Sequence, residues 1–415
     1  MDFLRIEGGH RLSGAVHVHG AKNSVLPILA GTLLGRGASV IHNCPALTDV
    51  DASLAILRHL GCTAEREGDT VTVDATAPTR CDVPEELMRE MRSSVVFLGP
   101  ILGRLGEARI CYPGGCELGP RPIDLHLAAL RRLGAEIEET GGLLCCKGSL
   151  TGGDVVLSIP SVGATENAML AAACASGVTT ITNAAREPEI VDLQNFLNAM
   201  GAQIRGAGGS VIAVRGGLPL HGAEHTVIAD RIVAGTYLAA VAAAGGEAQV
   251  SGADWRHLST VTAVLAEAGC AVRSETERIH IAAWSPLRAV RPIRTAPYPG
   301  FPTDAQAILM AALTTAQGAT VFVENMFESR YRHVDELRRL GADVRVEGRV
   351  AVVYGVPRLT GAGLHATDLR GAAALAVAAL AAQGESTVTG LEHLDRGYED
   401  LARDLRALGA KIERN

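Results

Sequence analysis

The sequence predicts an α/β protein assembled from six duplicated helix-and-strand units in two globular domains, and three observations carry that reading. The chain has 415 residues, more than one hydrophobic core usually holds. A short phrase, Leu-x-x-(Leu/Met/Ala)-Gly followed by an alternating run, recurs six times. Between its copies lie apolar stretches of small residues, too short to span a membrane and suited to buried helices.

The repeated glycines are Gly61, Gly134, Gly201, Gly269, Gly341 and Gly409, spaced about 70 residues apart, which marks internal duplication. Each stands where a helix C-terminus favours a left-handed residue. Each is followed by a two-residue alternation such as Ala342-Asp343-Val344-Arg345-Val346, the signature of a half-buried strand. Ala168 to Ala175, Ala234 to Ala244 and Ala372 to Ala382 are the expected core helices. One closed ring, a solenoid and two three-unit globules all accommodate six such units. Length favours two globules, because units of about 70 residues exceed the usual solenoid period.

Composition narrows the function classes. Hydrophobic residues make up 47% and charged residues 20%, ordinary for a globular enzyme. The formal charge of −7 argues against a nucleic-acid binder, which needs Lys and Arg against many phosphates. Aromatic residues at 3% leave few stacking platforms for single strands. The opening Met1-Asp2-Phe3-Leu4-Arg5 lacks the basic and apolar regions of a secretion signal, so a cytoplasmic location is expected. Nine cysteines without a Cys-x-x-Cys spacing indicate neither a disulfide framework nor a zinc site. No glycine-rich dinucleotide or P-loop fingerprint occurs, so neither a dinucleotide cofactor nor a phosphoryl-transfer P-loop is indicated.

The stretch Pro113-Gly114-Gly115-Cys116-Glu117-Leu118-Gly119-Pro120-Arg121-Pro122 has the composition of a shaped, exposed loop. A thiol there is expected to be accessible, and a nearby cation such as Arg121 would draw its pKa toward the working range. Cys116 is thus suited to donate a proton or to attack. His126 is the one candidate partner for a Cys/His hydrolase site, and nothing near it supplies the remainder. The other eight cysteines read as small core hydrophobes.

Gly20-Ala21-Lys22-Asn23-Ser24 leads into the apolar run Val25 to Leu34. Lys22 and Asn23 at that helix start suit a phosphate or a carboxylate, the bland alternative being a solvated Lys followed by an Asn cap. Arginines recur in loop-like settings at Arg92, Arg121, Arg330, Arg370 and Arg396. Gathered together they would clamp anions bidentately, whereas local pairs with neighbouring acids are the plain alternative. Asp304 follows the proline-rich turn Ala296 to Thr303, where it serves either as a helix cap or as a base.

These strings together resemble the UDP-N-acetylglucosamine enolpyruvyl transferases (1-carboxyvinyltransferases), which begin peptidoglycan synthesis. The resemblance runs over essentially the whole chain. It is carried by Ala21-Lys22-Asn23, Met91-Arg92-Ser93, Pro113 to Leu125, Ser161-Val162-Gly163-Ala164-Thr165, Asn183 to Asp192, Phe301-Pro302-Thr303-Asp304, Thr367-Asp368-Leu369-Arg370 and Asp395-Arg396-Gly397-Tyr398-Glu399. The cysteine-loop string is the most specific of them.

The resemblance implies an inside-out α/β barrel of six similar units, three per globule. It places residues 1–21 with 230–415 in one domain, and 22–229, carrying the cysteine loop at about 112–122, in the other, with the active site between them. It implies phosphoenolpyruvate and UDP-N-acetylglucosamine as substrates, with neither metal nor cofactor. Lys22, Asn23, Arg121, Arg370 and Arg396 would hold phosphoenolpyruvate. Cys116 would be the proton donor, able to form a covalent adduct and to be alkylated by the epoxide fosfomycin. Asp304 would be the base, with Arg396 and Lys22 supporting catalysis. Arg92, Arg121, Pro122, Ile123, Asp124, Leu125, Ser161, Val162, Gly163, Asp304 and Met326 would bind the UDP-sugar.

One departure stands out. Some members carry a Lys shortly before the Ser-Val-Gly-Ala-Thr string, where this chain has Ser158-Ile159-Pro160, which removes that side-chain contact. The alternatives are a transferase for a shikimate-type acceptor, one for another nucleotide acceptor in secondary metabolism, and an idle paralogue that senses the nucleotide sugar. The cysteine loop argues against the first. The presence of Lys22, Cys116, Asp304 and Arg396 argues against the last.

Overall fold

The computed structural model describes residues 2–112 and 123–415, and the backbone alone of Arg92. Cys116, Arg121 and Pro122 therefore lie outside the described residues. The described residues form two compact units, one of residues 20–112 with 123–228 and the other of residues 2–19 with 229–415.

Each unit contains three four-stranded sheets of one design. In the third repeat, strand Asp154–Val156 is followed by helix Val162–Cys174 and then strand Gly177–Thr182. Helix Pro188–Ala199 and strands Gln203–Arg205 and Val211–Gly216 complete it. The first two strands pair parallel and the others antiparallel. A parallel pair needs a crossover, and the buried helix supplies it.

The repeats borrow strands across long distances. Glu224–Thr226 joins the first repeat by pairing parallel with Ala38–His42. Phe3–Gly8 lies between Gly384–Thr389 and Lys411–Arg414 in the sixth. Leu12–His17 pairs parallel with Gly246–Ser251 in the fourth.

The six repeated glycines all take positive φ, from 84° at Gly409 to 107° at Gly269. A side chain there would meet the following carbonyl, so the phrase stops the helix and turns the chain into its strand. A second glycine is imposed by packing. A Cβ on Gly216 would sit 2.1 Å from the carbonyl oxygen of Ala172, and one on Gly8 2.1 Å from that of Ala379. Both end the strand crossing the central helix of their repeat, and only hydrogen allows that approach.

The small-residue stretches are the central helices. In one unit Arg231–Ala244, Thr303–Ala312 and Leu369–Ala381 pack on one another, and from Arg370 to Leu380 every residue is buried. Alanine and glycine let the backbones approach closely, while the sheets cover the outside with alternating residues, as in Val211–Gly216. Helices inside and sheets outside make this an inside-out α/β barrel in each unit. Each unit has its own continuous core.

Candidate active site

Helix Lys22–Thr32 starts at Lys22 itself, after Ala21, which offers no side-chain cap. Asn23 is therefore inside the first turn and does not cap the helix. Lys22 is buried and its Nζ lies 2.6 Å from Oδ2 of buried Asp49, in the first turn of helix Thr48–His59. A buried ammonium needs such a partner, and Asp49 fixes where its charge sits.

Two residues on, Ser24 Oγ donates to Asp192 Oδ2 at 2.5 Å. The same carboxylate takes the Ile228 N–H at 3.2 Å and faces His225 Nε2 at 2.9 Å. Ile228 in turn accepts the Ala21 N–H at 2.7 Å. Asp192 thus ties the start of the Lys22 helix to the segment 225–228. Sequence reading quoted Asp192 within a family string without giving it a role, since its partners come from positions far along the chain.

Ile123 is buried and leads into helix Asp124–Arg132, which exposes Asp124 and half-buries Leu125. Ser161 caps helix Val162–Cys174 by accepting the Ala164 N–H at 3.4 Å. These segments meet at His126, since a Cβ on Gly163 would lie 3.0 Å from His126 Cε1.

In the other unit, Asp304 stands in the first turn of helix Thr303–Ala312, whose cap position is Pro302. The cap reading of Asp304 therefore does not hold. Its Oδ1 accepts from Arg330 Nη2 at 2.6 Å and its Oδ2 from Arg370 Nη2 at 2.9 Å. Both guanidiniums are almost wholly buried. Burial opposes the Arg370 charge, but Asp304, Tyr398 and Asp230 outweigh it and raise the Arg370 pKa. Nη1 of Arg370 is buried with no hydrogen-bond partner among the described residues. A buried donor so left calls for an acceptor beyond those the described residues supply.

The local acids expected beside these arginines are engaged elsewhere. Asp368 caps its helix through the N–H groups of Arg370 and Gly371, Glu328 pairs with Arg349, and Asp395 accepts from Arg414 at 2.7 and 2.8 Å. Arg396 is half-buried on the segment before Tyr398. Buried Glu324 accepts from Thr303 Oγ1 at 3.0 Å and from the N–H of Met326 at 2.7 Å. It thereby ties the backbone of exposed Met326 to Thr303, at the start of the Asp304 helix.

Other buried groups have shifted titrations. Burial, with Glu189 and Glu187 nearby, pushes the Glu166 carboxyl up to about 8. Burial lowers His333 to about 4, with Asp368 opposing and Arg330 assisting the shift. Burial raises the Cys62, Cys146, Cys174 and Cys270 thiols to about 11.

The inside-out α/β barrel is the fold of the enolpyruvyl transferases, as comparison with known proteins shows. Residues 6–405 match the family described as EPSP synthase (3-phosphoshikimate 1-carboxyvinyltransferase). The chain is 51% identical over its whole length to UDP-N-acetylglucosamine 1-carboxyvinyltransferase 2 of Caldanaerobacter subterraneus subsp. tengcongensis, all of which is covered. The enolpyruvyl transferase NikO from Streptomyces tendae superposes with a TM-score of 0.89 at 30% identity, covering 100% of this chain and 99% of that one. EPSP synthase from Acinetobacter baumannii, at 20% identity and a TM-score of 0.77 with both chains covered completely, shares the fold. The chain belongs to the EPSP synthase family of 1-carboxyvinyl transferases, within the group of the UDP-N-acetylglucosamine enzymes.

Proposed function

We propose that this enzyme transfers the enolpyruvyl group of phosphoenolpyruvate to the 3-hydroxyl of UDP-N-acetylglucosamine, releasing phosphate, as the first committed step of peptidoglycan synthesis in the cytoplasm. The observation that carries this reading is Asp304 gripped by two buried arginines, one of which keeps a buried donor with no partner among the described residues. Such a group suits an anionic substrate beside a hydroxyl awaiting deprotonation. Identity of 51% to a UDP-sugar enzyme against 30% to NikO supports the acceptor. Among the described residues no helix is long and apolar enough to cross a membrane.

In the proposed reaction Cys116 protonates the methylene carbon of phosphoenolpyruvate, and the neighbouring carbon becomes electrophilic. The sugar 3-hydroxyl adds there as Asp304 takes its proton. Loss of phosphate and of a methyl proton then restores the enol ether. Lys22, Arg121, Arg370 and Arg396 stabilise the anionic groups, a task for charge fixed in advance. Asn23 assists at phosphoenolpyruvate. Arg92, Arg121, Pro122, Ile123, Asp124, Leu125, Ser161, Val162, Gly163 and Met326 hold the UDP-sugar.

A phosphate-release assay offering phosphoenolpyruvate with UDP-N-acetylglucosamine, shikimate 3-phosphate or other nucleotides tests this. Release with the UDP-sugar is expected, and silence with it while another acceptor reacts would sink the proposal.

A further inference from the structure

His126 is the one titratable group singled out beside the cysteine loop that the proposed reaction leaves without a task. It is buried on helix Asp124–Arg132. Its Nδ1 lies 3.0 Å from Nδ2 of Asn167, a wholly buried amide on helix Val162–Cys174.

The orientation of that amide is determined by the backbone. Asn167 Oδ1 accepts the Gly99 N–H at 2.7 Å, and Asn167 Nδ2 donates to the Val95 carbonyl at 2.8 Å. Flipping the amide would set NH2 against N–H and oxygen against oxygen, two buried clashes in place of two bonds. The second Nδ2 hydrogen therefore meets His126 Nδ1, which has to accept. Only the neutral ring with its hydrogen on Nε2 does so.

The opposite edge of that ring lies under Gly163. A Cβ on Gly163 would be 3.0 Å from Cε1 and 3.2 Å from Nε2, so glycine is required for the helix start to rest on the imidazole. His126 therefore sits between two segments, its own 123–125 and the 161–163 turn, and Asn167 sets both its tautomer and its tilt.

We propose that His126, locked as the Nε2–H tautomer by Asn167, is a positioning residue for the nucleotide sugar, setting the spacing between Ile123–Leu125 and Ser161–Gly163. This rests on the reading that these two segments hold the UDP-sugar. A displacement of about 1 Å in such a wall costs up to roughly a hundredfold. Phosphoenolpyruvate, assigned to other residues, is not affected through this ring.

The test uses His126→Asn, which keeps an acceptor near the Nδ1 position, and His126→Gln, which places its amide near Nε2. His126→Asn is expected to raise the KM for UDP-N-acetylglucosamine roughly tenfold to a hundredfold, with the KM for phosphoenolpyruvate unchanged. His126→Gln is expected to recover most of that loss. An unchanged KM for the UDP-sugar, or an equal rise for both substrates, overturns the proposal. Should both variants fail to fold, the nitrogen-15 shifts of the wild-type imidazole decide: a hydrogen on Nδ1 at neutral pH overturns it. Calorimetric titration of wild type with UDP-N-acetylglucosamine separates the two readings. No binding there sinks the substrate assignment, whereas tight binding retained by His126→Asn sinks only the role of His126.

Discussion

Arg370 Nη2 donates to Asp304 Oδ2 at 2.9 Å across 66 residues of sequence, joining the first turns of two central helices in one unit. Arg330 holds the other oxygen at 2.6 Å. The pair orients a carboxylate and, at the same time, spaces two guanidiniums, one of which also donates to the Thr303 carbonyl at 3.2 Å.

Asp304→Asn keeps the shape but removes the charge that both arginines share. Turnover in the phosphate-release assay is expected to fall by at least about a hundredfold, the scale for loss of a positioned base. Retention of near wild-type turnover would exclude Asp304 as the base. Arg370→Lys, which cannot hold Asp304 and reach outward in the same planar fork, is expected to raise the KM for phosphoenolpyruvate more than that for the UDP-sugar.

Cys116 carries the second prediction. Fosfomycin is expected to label Cys116, and Cys116→Ser to lower turnover severely. Thiols pushed up to about 11 by burial, at Cys62, Cys146, Cys174 and Cys270, hold almost no thiolate at neutral pH and stay unlabelled. Peptide mass mapping reads the outcome, and a label on any other cysteine contradicts the assignment.

Glu166 gives a prediction of stability against pH. Its folded pKa, about 8, lies above the ordinary carboxylate value of 4.5, so the folded state holds a proton that the unfolded chain releases. Its contribution is fully present below pH 4.5 and is lost as pH rises to 8. Glu166→Gln, which mimics the protonated form, is therefore expected to match wild type at pH 4.5. It should be more stable at pH 8 and above, by on the order of 4 kcal/mol. Thermal unfolding across that range checks it, and a gain independent of pH would refute the titration of Glu166.

His333 has the opposite sense at the acid side. Its folded pKa of about 4 lies below 6.5, so the unfolded chain takes up the proton first. Stability is whole above pH 6.5 and is lost as pH falls toward 4, by roughly 3 kcal/mol. His333→Gln is expected to flatten that acid limb in a melting-temperature series, and a limb of unchanged slope would show that another group sets it.

Much of this was legible in the residues. The glycine caps appear at positive φ, the small-residue stretches are the central helices, and Lys22 begins its helix. The electrostatic partners were not legible. Asp49, Asp192 and Asn167 are short polar residues on ordinary helices, and their importance comes from what packs against them 27 to 168 positions away. Sequence periodicity reports which face is buried and is silent on which buried acid meets which base. The local ion pairs expected for Arg330 and Arg370 gave way to Asp304 for the same reason, since helix termini took up Asp368 as a cap.

The placement of Phe3–Gly8 between strands near residues 384–389 and 411–414 bears on how the protein is made. A ribosome delivers that strand long before either of its partners. The unit of residues 20–228 is complete about halfway through synthesis, while its companion waits for the end. Until then an unpaired strand with two open edges trails from the nascent chain, exposed to chaperones and to neighbouring chains.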